Sequence, residues 1–418
     1  VLLVCLGFAT NIVVARTIGP SGRGIVSLLY LFPFFMGMIF AFGIDEANVY
    51  FLGGKRAPHA DAFANIVLMT LAGSLLCCGI TLLARNYILA RVLKNIAPAY
   101  YMLAVLSIPF FLFNRLGTTI FQGHRDFVSF NIVNVFVRLS TFLVSLVLLV
   151  LLGMGLAGGA LSVPIAAFCV SILLFFLLKR RGSPSSRPDL PLLGKSFSYG
   201  LRAQPGVLMS FFNQRLDVFI INYFLTPADV GLYVIGVSVA ELLWNLPNAV
   251  GLTLFPQIAS SDVEEGKHFT CKVSRNLLFL MLLVAALLAL VGRPLILSFF
   301  GRQFLPSLVP FWILLPGVIL LGMAKVMSSN FHGRGKPQYG TYITIVSVTL
   351  TVALDLLLIP RMGIVGAALA STIAYGTSGV LSVFWFMRQT KASLSEILFV
   401  RWREIQRLPA LAVGSLRK

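Results

Sequence analysis

Two ten-residue stretches, half a chain apart, each place a cation and two hydroxyls inside apolar sequence. RLGTTIFQGH occupies 115–124 and KVMSSNFHGR occupies 325–334. Arg115 falls on Lys325, Thr118 on Ser328, Thr119 on Ser329, Phe121 on Phe331 and Gly123 on Gly333, an offset of 210 in a chain of 418 residues. At about 100° per helical residue, Arg115, Thr118, Thr119 and Gln122 share one face, as do Lys325, Ser328, Ser329 and His332. A cation flanked by hydroxyls suits the holding of an anion.

Other polar residues fall into stripes of the same kind. On the fifth apolar segment Asn131, Asn134, Arg138, Thr141 and Ser145 lie within about 80° of arc. On the eleventh, Thr344, Thr351 and Asp355 align with Ser347 at the edge. At the offset of 210, Asn134 maps on Thr344, Thr141 on Thr351 and Ser145 on Asp355. On the seventh, Arg202, Asn213 and Asp217 align, and Pro205 with Gly206 can bend the helix between them. Arg215 sits about 200° from Asp217. On the eighth, Glu241, Asn245 and Asn248 align. A charge at the centre of a membrane helix costs roughly 2.5–3.5 kcal/mol on insertion scales, so such groups persist only where they face partners or water.

The candidate substrate-binding residues are therefore Arg115, Arg138, Arg215, Lys325, Arg202, Asn134, Asn213 and Asn245. Asp217, Glu241 and Asp355 are candidates for ion pairing or for holding a coupling cation. The cations outnumber these anions, so the stripes are expected to line a hydrated, cationic cavity between two lobes, fit for an anionic cargo such as a phosphate-linked molecule. The rival reading has the same groups locking the bundle through interhelical hydrogen bonds. Recurrence in both halves favours the cavity. Arg202 and Lys325 lie near segment ends, where snorkelling also accounts for them. Asp45 and Glu46 follow the second segment directly and read either as solvated, the favoured reading, or as bounding the cavity mouth.

The elements that position these residues are membrane helices. Hydrophobic residues make up 58% of the chain and charged ones 11%, against about a quarter charged in soluble domains. Mean hydropathy is +0.92. Uncharged windows long enough to span a bilayer recur, among them 25–44, 62–84, 242–261, 303–324 and 362–387. With the shorter or charge-interrupted segments, the reading is an all-α polytopic membrane protein with twelve transmembrane helices. The chain begins at Val1 inside an apolar stretch, and an incomplete first helix is expected. No secretory signal pattern is visible.

A net charge of +19 suggests nucleic acid in a soluble protein. Here Lys and Arg concentrate in alternate loops, on the side of Lys179–Lys195 and the tail, which is the positive-inside pattern. Nucleic acid is excluded as a partner and the C-terminus is placed in the cytoplasm. Arg16 and Arg23 fall in inferred outer loops, and Lys55, Arg56 and Arg275 in inner ones.

The repeat extends beyond the first match. IGPSGRGIV (18–26) resembles FLTPADVGLY (224–233), with Pro20 on Pro227 and Gly24 on Gly231. MGLAGGAL (154–161) resembles MGIVGAAL (362–369). Six spans per half make parallel repeats, related by a pseudo-two-fold along the membrane normal. The expected organisation is an N-terminal lobe at 1–178, a basic cytoplasmic linker at 179–195, a C-terminal lobe at 196–387 and a basic tail at 388–418. In the tail Leu394, Leu398, Trp402, Ile405 and Leu408 recur at helical spacing beside Arg401, Arg403 and Arg407, which suits a helix lying on an anionic leaflet.

Catalytic and cofactor motifs fail. GMGLAG (153–158) has the G-x-G-x-x-G spacing but sits between apolar spans and reads as a tight turn. LLGKS (192–196) lacks the first glycine of a phosphate loop. The four histidines and five cysteines show no metal-ligand spacing. No catalytic residue, metal or cofactor is expected.

The segments VARTIGPSGRG (14–24), 213–260 and 331–375 resemble the polysaccharide-exporter branch of the MOP superfamily, the O-antigen or lipid-linked oligosaccharide flippases. The resemblance implies a MATE/MOP-like fold and alternating access. It implies a polyprenyl-phosphate-linked oligosaccharide as cargo, moved from the inner to the outer leaflet of a bacterial plasma membrane. Asp217 occupies the family's typical Asp of the seventh helix and Glu241 its acidic position in the eighth. The implied partners are the lipid-linked oligosaccharide, membrane lipids, a coupling cation and polysaccharide-assembly proteins. Two alternatives are a multidrug or organic-cation antiporter of the same superfamily, which needs an anionic cavity, and a membrane-embedded glycan polymerase or glycosyltransferase, which needs a larger outer loop.

Overall fold

The structure is a computed structural model that describes residues 2–54, 58–185 and 187–399. Among the described residues there are helices and no strands. In hydrocarbon every backbone N–H and C=O must be satisfied within the segment, and a helix does this alone. Ten helices are long and apolar enough to cross a membrane: this is a multi-pass membrane protein.

The helices are α1 (Leu2–Phe40), α2 (Ile44–Gly53), α3 (His59–Leu83), α4 (Pro98–Gly123), α5 (Phe127–Leu146), α6 (Gly155–Arg181), α7 (Leu190–Phe224), α8 (Pro227–Ala240), α9 (Asn245–Ser260), α10 (Val263–Phe299), α11 (Leu308–Gly333), α12 (Gln338–Met362), α13 (Ile364–Thr390) and α14 (Leu394–Leu398). A 3₁₀ turn, Glu241–Trp244, joins α8 to α9, and the two count as one membrane segment, Pro227–Ile258. The 35-residue α7 is not among the ten, because Asn213, Gln214, Arg215 and Asp217 hold its hydropathy down.

Counted as one helix, α1 is two. Gly19 has φ 67° and ψ −173°, outside the helical region and open to a residue without a Cβ. The Arg23 guanidinium donates to Asn11 Oδ1 at 2.8 Å. Twelve residues of straight helix would separate the two by about 18 Å, so the segments on either side of Gly19 fold back on each other. Arg23 is thus a correction to the loop assignment. It sits inside the second segment, where Ser27 and Asn11 hold it.

The chain divides into two compact units: Val1–Ile235 with Ile296–Ser307 and Ile359–Ile364, and Gly236–Leu295 with Leu308–Leu358 and Val365–Lys418. In the first, α1 packs on α4, α5 and α6, and α4 also on α2 and α3. Phe63, Leu112, Leu116, Ile120, Phe121 and Leu174 form its core.

The first turns of α8 belong to this unit through a backbone-to-backbone contact. A Cβ on Gly24 would run into the Pro227 carbonyl oxygen, and a Cβ on Gly231 would run into the Pro20 carbonyl oxygen. These are the four residues that the internal repeat puts in register. The two copies of the motif therefore clasp each other reciprocally. A second close approach sets Gly43 (φ 69°) against Gly200 of α7, with Gln204 Nε2 donating to the Met38 carbonyl at 2.8 Å.

Asp126 caps α5. Its carboxylate accepts the Ser129 N–H at 3.0 Å and pairs with Arg181 at the end of α6. Hydrogen bonds from Ser129, then the Arg181 guanidinium, hold its carboxyl at about 2, against an ordinary 3.8. A lowered folded-state value stabilises at pH above 3.8 and stops doing so as pH falls through about 2. Thermal midpoints of the native protein and Asp126→Asn are therefore expected to differ at pH 6 and to converge between roughly pH 4 and 2. A constant gap across that window would assign the difference to something other than this carboxylate.

In the second unit α9 packs on α11, and Met323, Met327, Phe331, Ile343, Phe386 and Ile397 cluster. Ser393 and Glu396 form a capping box at α14, which seats Ile397 at 0% exposure. Arg275 of α10, assigned from sequence to an inner loop, is buried at 1% exposure and donates to the Glu396 carbonyl at 3.2 Å. The tail residues Trp402, Ile405, Leu408, Arg401, Arg403 and Arg407 lie outside the described residues, as do Lys55 and Arg56.

Candidate functional site

The first unit holds most of the cations in question. Arg115 on α4 does not stand open. Its Nη2 lies 2.5 Å from Asp45 Oδ2, the side chains being 22% and 6% exposed. Asp45 is carried in by α2, whose Asn48 reaches Thr119 on the same α4 face at 3.3 Å. Asp45, read from sequence as solvated, is corrected to a buried partner. No spacing rule joins residues 70 positions apart, so the sequence held no signal for the pair.

Arg138 behaves differently. It is exposed on α5, and its Nη1 stands 3.7 Å from where a Cβ on Gly7 would be. Among the described residues it makes no ion pair. Asn134, one turn before it, turns its Nδ2 back to the Phe130 carbonyl at 2.9 Å, and Ser145 at the end of the stripe is buried.

On α7 the stripe divides. Arg202 is exposed and Asn213 and Asp217 are buried. Asp217 was expected to pair with cations. Its Oδ2 accepts the Tyr233 hydroxyl at 2.5 Å and its Oδ1 accepts the Val218 N–H at 2.8 Å. Tyr233 is wholly buried and follows Gly231 by two residues, so this bond ties α7 to the clasped end of α8. Tyr233 escaped the sequence reading because it sits among apolar residues on no polar stripe. Arg215 lies half-buried on the same helix.

The second unit gathers one compact group. Lys325 Nζ stands 4.5 Å from the Trp244 ring centroid and donates to Asn248 Oδ1 at 3.0 Å. Trp244 in turn meets Tyr375 edge-on at 5.9 Å. An ammonium over an indole face is attracted by the ring quadrupole. The 3₁₀ turn rotates Glu241 and Trp244 relative to an ideal helix, and such turns inside a long helix commonly mark functional bends. Asn245 spends its amide on the Leu242 carbonyl at 2.9 Å. Asp355 and Thr351 were expected on an open stripe, but they are buried at 0% and 1% exposure, inside the packing of α12.

A family profile described as Polysaccharide biosynthesis protein matches residues 13–309. The chain belongs to that family. Within this polysaccharide biosynthesis family, it is 28% identical over 235 residues to a protein of Haloferax volcanii named as a low-salt glycan biosynthesis flippase, covering 55% of this chain and 50% of that one. It is 23% identical over 381 residues to a protein named for O-antigen transport in Shigella flexneri, covering 86% and 88%. The chain thus spans half the length of the Haloferax relative. Among solved structures, the lipid II flippase MurJ in an inward closed conformation superposes with a TM-score of 0.76 at 15% identity, over 94% of this chain and 87% of that one. An inward-facing MATE multidrug transporter of the MOP superfamily superposes with a TM-score of 0.70 at 17% identity, over 94% and 95%. These likenesses give the fold, which is that of MATE and MurJ transporters. The Haloferax and Shigella relatives are named for flipping and for transport.

Proposed function

We propose that this polysaccharide biosynthesis family member is a flippase for a lipid-linked oligosaccharide, carrying the phosphate-linked head group across the membrane by alternating access while the lipid tail stays in the bilayer. The supporting observation is Arg138: an exposed guanidinium on the membrane segment Phe127–Leu151, without an ion-pair partner among the described residues. Hydrocarbon penalises such a group unless water or an anion meets it. Lys325, set by Trp244 and Asn248, supplies a second cation of the same character. Arg202, Arg215 and Asn213 complete the proposed substrate contacts, and Asp217 and Glu241, one in each unit, are each proposed as a carboxylate for a coupling cation. Twelve spans in two sequence-related halves, a cytoplasmic C-terminus and an inner-membrane location belong to the same proposal.

The test is flipping of a lipid-linked oligosaccharide in proteoliposomes. Arg138→Ala is expected to lower the rate at least about tenfold, the equivalent of one lost charged hydrogen bond, with unchanged yield and thermal midpoint. A full rate in Arg138→Ala would remove the residue from the cargo path. The MATE likeness keeps an organic-cation antiporter as a second reading. Export of cationic dyes from vesicles, with no flipping, would favour it.

A further inference from the structure

The seam between α2 and α7 carries an aromatic pair that the proposed cargo contacts leave unused. Gly43 and Gly200 bring the two helices backbone against backbone, which fixes the register of the side chains beyond them. Tyr199, beside Gly200, stacks on Tyr50 of α2 with ring centroids 4.7 Å apart and an interplanar angle of 13°. Phe51 meets the Tyr199 ring edge-on at 6.1 Å. One face and one edge of Tyr199 are thus covered. The residue nevertheless stays 38% exposed, so its accessible surface is the opposite face and the remaining rim.

The neighbours of that face say what it can hold. Lys195, Tyr199 and Arg202 recur at i, i+4 and i+7 and so share one side of α7. Lys195 and Arg202 are exposed and make no ion pair among the described residues. A helix side that keeps an ammonium and a guanidinium exposed is wet rather than turned to lipid tails. Across the seam Glu46 stands exposed on α2, one turn before Tyr50. The face of an aromatic ring is the negative part of its quadrupole, and it attracts the C–H bonds of a saturated ring whose carbons carry oxygen. Around that face Lys195 and Arg202 only donate hydrogen bonds and an ionised Glu46 only accepts them, whereas hydroxyls do both. A flat C–H face rimmed by hydroxyls is the surface of a pyranose.

We propose that Tyr199 is the stacking platform for one pyranose unit of a glycan, with Lys195, Arg202 and Glu46 as hydrogen-bonding partners of its hydroxyls and Tyr50 as the positioning residue that backs the platform. That the glycan is the head group of a lipid-linked cargo rests on the function proposed above. The existence of the saccharide site does not.

The test uses the full chain in a detergent without a sugar head group. The probes are the methyl glycosides of glucose, galactose, mannose and N-acetylglucosamine, each titrated by saturation-transfer NMR. At least one is expected to bind, with the strongest transfer to the ring C–H protons of a single face. Tyr199→Ala is expected to weaken that glycoside at least about tenfold, and Tyr199→Phe, which keeps the ring, to leave it within about threefold. Tyr50→Leu, which removes the backing ring, is expected to weaken it severalfold, as are Glu46→Gln and Arg202→Gln, with the single-face pattern kept. Should Tyr199→Ala fail to fold, Tyr199→Leu keeps apolar bulk without a π face and is expected to show the same loss. Absence of binding by every probe, or native affinity in Tyr199→Ala or Tyr199→Leu, would overturn the platform and leave Tyr199 as an ordinary interfacial tyrosine. The flipping assay separates the two claims. Glycoside binding lost in Tyr199→Ala, in a protein that flips no lipid-linked glycan, keeps the site and rejects the cargo. Flipping by a protein that binds none of the probes keeps the cargo and rejects the platform.

Discussion

Asp45→Asn is expected to destabilise the protein by about 3 kcal/mol, more than any other single change considered. Removing one member of a buried pair leaves the other charge uncompensated, which typically costs 3–5 kcal/mol. Arg115 keeps 22% side-chain exposure, which puts the value at the lower end. The partner variant Arg115→Gln should also cost stability, because it leaves the buried Asp45 carboxylate without its counter-charge. The double variant should recover at least half of the Asp45→Asn loss, because no buried charge remains. Denaturant unfolding of the detergent-solubilised protein measures all three, and the cycle isolates the pair. Additive single losses would show that the 2.5 Å contact contributes nothing as a pair. This result would also decide what Arg115 is for. A cargo ligand lowers transport when removed while stability stands, and the pairing with Asp45 points the other way.

The second expectation concerns the clasp between the two copies of the repeated motif. Gly24→Ala and Gly231→Ala each insert a methyl where the opposing carbonyl oxygen already stands. Overpacking of this kind costs about 1–3 kcal/mol. Here the neighbour is backbone, so no rotamer change relieves it and the helices must part. Once they have parted for one methyl, the second meets little resistance. The double variant is therefore expected to lose barely more stability than the worse single one, well short of the sum. A double loss equal to the sum of the singles would mean that the two glycines sit in independent contacts. Under the proposed function, transport should fall in all three variants, because parting these helices also displaces Tyr233 from Asp217.

The repeat was legible because identical backbone demands leave identical residues. Pro20 with Gly24, and Pro227 with Gly231, mark a place where two helices meet without side chains between them. The membrane class was legible because hydrocarbon forbids most polar residues, and α7 stands out for breaking that rule. The partners were not legible. A stripe calculation says which residues share a face and nothing about what faces them. It aligned Thr119 with Arg115 correctly, yet could not say that α2 brings Asp45 and Asn48 over that face. Arg23 was lost to a counting rule that assigns charges near a segment's start to a loop. The reversal occurs at Gly19, four residues earlier. Asp355 and Thr351 show the opposite error. Their alignment is real, and the aligned face is turned inward to neighbouring packing.

Arg275 under the short α14 bears on how the protein can be handled. The Glu396 carbonyl accepts from a side chain that is otherwise sealed inside the helix bundle, so the last helical turn acts as a plug. A purification handle attached after Phe399 leaves the plug seated. Trimming back past Ser393 removes the capping box, uncovers Met323, Met327 and Phe386 around the vacated place of Ile397, and takes an acceptor from Arg275. Shortened versions ending there should clump during extraction, whereas those ending a few residues later should not.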